Sequence, residues 1–246
     1  MKKRRGPVTA EELMAELEAN PEWVAQRSEQ DRRLQERATA FRQAAAPLLE
    51  ELERAGISTD DFGTFVNRPY PGVLEPARFD AAAATPILLR WLPEIQDARV
   101  KEAIVRHLKT KAARGVATEP LIEAFRVAGE DLQWVIGDTL QAVATQEQYP
   151  ALVELAADRR HGHGRAQLFD ILWRVKTDRA LEILVHGLED PDVALVAGSA
   201  LRRAVGNEAA RDKLARLTDH ANGVVSRAAR ENLKRADRAL AKERRA

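Results

Sequence analysis

Apolar residues in this chain recur in triplets spaced by four, and the triplets themselves recur at a nearly constant interval. Val100, Ile104 and Leu108 form one; Leu132, Ile136 and Leu140 the next; then Gly164, Leu168 and Leu172; Val193, Ala197 and Leu201; and Val225, Ala229 and Leu233. A spacing of four places each triplet on one face of a helix. From Ile104 to Ile136, Leu168, Ala197 and Ala229 the intervals are 32, 32, 29 and 32 residues. A period of that length marks a stack of similar units, none of which can bury its apolar face alone.

A second amphipathic segment precedes each triplet: "TPILLRWL" from Thr85, "TEPLIEAF" from Thr118, "EQYPALVELA" from Glu147, "TDRALEILVHGL" from Thr177 and "NEAARDKLARL" from Asn207. Thr85, Thr118, Thr177 and Asn207 are candidate N-caps, because a short polar side chain can accept from the first free backbone N–H groups of a helix. Pro86 and Pro120 then fall early in a helix, where a missing N–H costs nothing. Asp190–Pro191 and Gly129–Glu130 mark turns between the two helices of a unit. Each unit reads as helix, turn, helix.

The stretch "EDPDVALVAGSALRRAVG", with Asp190, Pro191, Asp192, Val193, Ala197, Leu201 and Gly206, resembles HEAT repeats, especially the short HEAT-like units of bilin lyases. "DRRHG" at a turn, followed by "LEDPDV", is also similar to a loosely defined set of bacterial HEAT-repeat proteins with no assigned activity. The resemblance implies an all-α fold: a right-handed α-solenoid of about five HEAT-like helix pairs. The first and third units depart from the pattern, the first lacking a glycine stop and the third carrying "DRRHGHGR" as its turn. A tetratricopeptide array has a similar period, but its Trp, Leu-Gly and Tyr signature is missing.

The expected organisation is a basic tip (1–8), an N-terminal helical hairpin or cap (9–56), a connector (57–81), the repeat array (82–240) and a basic tail (241–246). Thr9 and Glu12 form a capping-box pattern, and Pro21 opens a second helix with a thin apolar stripe of Trp23, Leu34, Ala38, Phe41 and Leu48 or Leu49. Pro47 is expected to kink or interrupt it. A cap shields the first unit's apolar edge; a partner-binding or dimerising coiled coil is the other reading, weakened by the lack of three clean heptads. In the connector, Phe62, Phe65, Val66 and Tyr70 are expected to drape the chain over the core.

Charge and composition exclude several classes of function. Net charge is +1, but Lys2 to Arg5 contribute +4 and the segment from Arg227 onward +5, leaving the body between them at −8. An acidic body suits a phosphate backbone poorly, so nucleic acid is disfavoured as a partner. There is no cysteine, hence no disulfide framework and no thiolate chemistry, which fits a cytoplasmic protein. No run is long and apolar enough to span a bilayer, so no membrane association is expected. No phosphate loop, nucleophile elbow or zinc-hydrolase helix occurs, and neither catalytic residues, cofactor nor metal is expected.

Binding candidates come from the outward columns of the second helices, which line the concave face of such a superhelix. There Arg106, Trp134, Asp138, Asp170, Trp173 and Arg202 offer arginine and aromatic anchors amid carboxylates, a mixture suited to an unidentified protein or peptide partner. The plain alternatives are indoles half-buried between helices and, for Lys109, Arg174, Arg202 and Arg203, cations complementing helix C-termini. Asp138 and Asp170 share a column, as a carboxylate pair for acid–base work would, but a repeat generates such pairs automatically. The turn "RRHGHGR" brings Arg159, Arg160 and Arg165 beside His161 and His163 just before a helix, an arrangement for an anion such as an acidic or phosphorylated partner. His107, His186 and His220 are isolated and read as helix-surface residues.

Three functions compete. The leading one is a noncatalytic scaffold, monomeric or weakly dimeric, that binds a protein or peptide on its concave face. A DNA-repair glycosylase of HEAT-like architecture would enlist Trp134, Asp138 and Trp173 around a damaged nucleotide. A bilin lyase or tetrapyrrole chaperone is suggested by the repeat type alone.

Overall fold

The computed structural model describes residues 9–60, 62–63 and 79–245, and among them every regular element is helical. Two helices lead: α1 (Ala10–Glu18) and α2 (Pro21–Arg54). Five pairs follow: α3 (Ala81–Glu94) with α4 (Ala98–His107), α5 (Thr118–Val127) with α6 (Glu130–Val143), α7 (Tyr149–Ala157) with α8 (Ala166–Leu172), α9 (Asp178–Gly187) with α10 (Ala194–Val205), and α11 (Asn207–Ala215) with α12 (Gly223–Glu243). The helices of each pair pack on one another, and the second helices α4, α6, α8, α10 and α12 pack each on the next. Among the first helices, α3 meets α5 and α7 meets α9.

The periodic triplets are the interior of this arrangement. Val100, Ile104, Leu108, Ile136, Leu140, Leu168, Leu172, Val193, Ala197, Leu201, Val225 and Ala229 are all buried. Small residues set how closely neighbouring helices approach. A Cβ on Gly137 would stand 2.8 Å from the Gln167 Cβ, and one on Gly198 would stand 2.5 Å from the Asn232 side-chain nitrogen. Asn232 is itself fully buried, donating to the carbonyls of Leu195 and Ala228 at 3.0 and 3.2 Å.

Helix ends follow sequence rules unevenly. The Thr9–Glu12 capping box forms, and Thr177 accepts from the Ala180 N–H at 3.3 Å. Thr85 does not cap: Asp80 takes that role five residues earlier, so Thr85 lies inside α3 and donates to the Ala81 carbonyl at 2.7 Å. Thr118 is the first residue of α5 and makes no side-chain cap bond, while Asn207 follows Gly206 (φ 86°) and accepts from Arg202 instead. Asp97 and Asn222, which periodicity does not flag, cap α4 and α12.

Pro47 does not interrupt α2, which runs through it to Arg54. The ring sits on an exposed face, where water can satisfy the carbonyl deprived of its helical donor. Only Phe41, Ala45, Leu48 and Leu52 of α2 are buried, against α3 and α4; Trp23, Leu34 and Ala38 are partly exposed. Glu51 ties the two elements by accepting from the Trp91 indole at 2.9 Å and from Arg90. Phe62 stacks on His107 at 4.9 Å, and Phe79 covers the same imidazole at 4.4 Å, so His107 is an aromatic-lined packing residue rather than a surface one. Phe65, Val66, Tyr70 and the basic tip lie outside the described residues. No helix among the described residues is long and apolar enough to cross a membrane.

Candidate functional site

The outward residues of the second helices form a strip in which charges are matched between neighbouring units. Lys109, just past the end of α4, donates to Asp138 of α6 at 2.7 Å; Arg203 of α10 donates to Asp170 of α8 at 2.5 Å. Between these pairs, the Gln141 amide of α6 donates to the Gln167 carbonyl of α8 at 3.0 Å, and Arg174 reaches back to the Gln141 carbonyl at 3.0 Å. Arg106 pairs within its own helix with Glu102, at 2.7 Å. The two column carboxylates are therefore links between units.

Two indoles belong to this strip. Trp134 on α6 is 37% exposed. Trp173, at the end of α8, is half-buried and flanked by the guanidinium groups of Arg203 and Arg174, 4.7 and 5.5 Å from its ring centre. Cations held over an indole face are attracted by its quadrupole and fix its orientation. Its Nε1–H is buried without a hydrogen-bond partner among the described residues. Arg202, one residue before Arg203, makes no ion pair among the described residues; its Nε donates to Asn207 at 3.0 Å. Burial, and then the nearby charge of Arg235, push its pKa down.

The "RRHGHGR" turn lies on the other side of the units and is heavily cross-linked. It comprises 3-10 turns broken at Gly162, whose φ of 47° needs a residue without a Cβ. Arg165 is 2% exposed; it donates to the Ala156 carbonyl at 3.1 Å and to Asp190, the first aspartate of the "EDPDV" turn in the following helix pair. Arg159 approaches the same carboxylate at 3.3 Å. Arg160 forks onto Asp158, its closest approach being 2.6 Å. That guanidinium, with the Arg160 backbone N–H, holds the Asp158 carboxyl well below the ordinary carboxylate range.

The histidines of the turn face different neighbours. His161 Nδ1 lies 2.8 Å from the Gln133 amide nitrogen, which also donates to the Phe125 carbonyl at 3.0 Å. An amide N–H directed at Nδ1 favours the imidazole tautomer with its proton on Nε2, which stands 3.6 Å from Asp158. His163 is exposed, its Nδ1 2.9 Å from the Asp192 carbonyl. No group of three or more His, Cys, Asp or Glu side chains suited to a metal ion occurs among the described residues.

The sequence columns bring together the pairs now seen across α4, α6, α8 and α10, but sequence reasoning assigned Lys109, Arg174 and Arg203 to helix dipoles and missed Gln167. The available signal was opposite charge on second helices about one period apart: 29 residues from Lys109 to Asp138 and 33 from Asp170 to Arg203. Comparison with known proteins finds no family model, no curated protein and no solved structure that matches this chain.

Proposed function

We infer that the five helix pairs form a right-handed α-solenoid of HEAT-like units, capped by α1 and α2, and that the protein is a cytoplasmic, noncatalytic scaffold for a protein or peptide partner. The partner lies along the strip of α6, α8 and α10, with Trp134, Trp173 and Arg202 as anchors.

The observation carrying this reading is the combination of exposed indole surface with charges already paired across units. Lys109–Asp138 and Arg203–Asp170 neutralise one another, which leaves only scattered cations such as Arg202 and not a continuous track for a phosphate backbone. An indole held in place by flanking guanidinium groups offers large contact area with little conformational entropy left to lose, the usual character of a protein-binding hot spot. Arg202, half-buried and without a carboxylate, can take one from the partner.

The test is affinity capture on the immobilised full chain from a native lysate, run with and without nuclease. The wild-type chain is expected to retain one stoichiometric protein at moderate salt, and a Trp134→Ala/Trp173→Ala chain of unchanged circular dichroism to lose it. Equal retention by both chains would overturn the assignment of the strip. Recovery of nucleic acid alone, lost as salt rises, would overturn the scaffold itself.

A further inference from the structure

A cavity of about 350 Å³ opens between α7 and α9, with neither Trp134 nor Trp173 in its lining. Arg159, Arg165 and Arg179 line it, together with Phe169, Ile183 and the acidic residues Asp190 and Glu189. We propose that it is a binding site for a small organic oxyanion, one carboxylate or phosphate head on a compact apolar body.

Carboxylates stand near the cations of this cavity, Asp190 and Glu189 in its lining and Glu154 and Glu182 on Arg179, yet Arg165 and Arg159 keep donors unspent among the described residues. Asp190 is shared: one carboxylate oxygen takes both Arg165 and Arg159, and the other accepts the Asp192 backbone N–H at 3.1 Å. Arg165 is buried, and its Nε–H has no partner among the described residues. A buried guanidinium with a donor unspent favours a further acceptor, because desolvation has already been suffered and nothing has replaced the lost water there. Arg159 is 71% exposed at its side chain, and its terminal nitrogens make no hydrogen bond among the described residues. Arg179 is held at the same cavity by Glu154 and Glu182, at 3.4 and 3.0 Å. Planar guanidinium forks match the paired oxygens of a carboxylate or phosphate.

The remaining walls ask for carbon. Phe169 and Ile183 are buried in the core yet border the cavity, and the Phe169 ring lies 5.5 Å below the Arg165 guanidinium. Gly187 keeps the wall thin: a Cβ there would fall 2.3 Å from the Phe169 ring. The volume lies in the range of small-molecule sites and exceeds what a bare inorganic anion fills. This site is independent of the strip proposed for a protein partner, and each can fail without the other.

Calorimetric titration of the full chain at low ionic strength, with phenyl phosphate, benzoate and inorganic phosphate as probes, tests it. Phenyl phosphate or benzoate is expected to bind one-to-one at about millimolar affinity or better, and more tightly than inorganic phosphate; the stronger of the two identifies the head group. Arg159→Ala, a surface change that leaves the fold intact, is expected to weaken binding about tenfold, while Trp134→Ala/Trp173→Ala leaves it unchanged. Absence of saturable binding by every probe would overturn the proposal. So would binding indifferent to Arg159→Ala, or inorganic phosphate binding as tightly as the aromatic probes.

Discussion

The two N-terminal helices and the five helix pairs that follow use the same residue types to opposite effect. In α1 no residue is buried, and in α2 burial begins only at Phe41. Its charges pair along the helix, Arg32 with Glu29 and Glu36, Arg33 with Glu29, all on exposed surface. Among the five helix pairs, charge is carried from one to the next, and at Arg165–Asp190 the ion pair is taken out of water altogether. The comparison separates decoration from structure. An arginine on a solvated helix face has water as an alternative partner, whereas one enclosed between units does not.

Breaking the enclosed pair should therefore have the largest effect. Asp190→Ala leaves Arg165 buried against a backbone carbonyl alone and is expected to cost about 3–5 kcal/mol, read as a fall in the urea midpoint. Replacing both residues by apolar ones of similar size should recover much of that loss, since the pair's net worth is far smaller than the penalty for orphaning one partner. The close helix approach comes next. Gly198→Ala thrusts a methyl group into the Asn232 amide and should destabilise by about 1–3 kcal/mol, whereas the same change at Gly129, where nothing lies within 4 Å, should not.

Smaller effects sharpen the comparison through pH. Burial raises the pKa of Asp97, but the backbone N–H groups of Val100 and Arg99 and the Arg99 side chain outweigh it, so the carboxyl titrates below its ordinary 3.8. Asp158 is lowered in the same direction by Arg160. A carboxyl with a depressed folded value contributes its stabilisation in full above the unfolded value, and that contribution is lost as pH falls below about 3.8 through the folded one. Acid titration of stability should show this loss, and Asp97→Asn, which retains an amide oxygen to cap α4, should flatten part of it. Asp97→Ala removes the cap itself, at about 1 kcal/mol. Least of all, Arg32→Ala should leave the unfolding midpoint where it was, because Glu29 keeps Arg33 and both face water.

Much of the fold was legible because burial imposes a period. A residue such as Ile136 or Leu201 must recur on the inner face of every second helix, and the chain writes that requirement plainly. Boundaries were less legible, since several residues near a helix start compete for the same N–H groups. Thr85 and Asp80 both have the chemistry of a cap, and only the three-dimensional entry of the chain decides for Asp80. The candidate site was legible as columns but not as pairs. Lys109 near a helix C-terminus satisfies the dipole argument and the inter-unit argument equally, and sequence spacing alone does not rank them. Arg165 was the hardest case: beside Arg159 and Arg160 it resembles one of three solvated cations, and its burial depends on the Asp190 turn of the next unit folding over it.

That dependence makes the boundaries between helix pairs unequal. The boundary between α4 and α6 is joined by Thr139 donating to the Val105 carbonyl and by the surface pair Lys109–Asp138, so a cut there strands no enclosed charge. The boundary between α8 and α10 holds Arg165, whose counter-ion lies across it. Truncation thus parts Arg165 from Asp190 only where it cuts between α8 and α10, from whichever end it comes, and there it returns both groups to water.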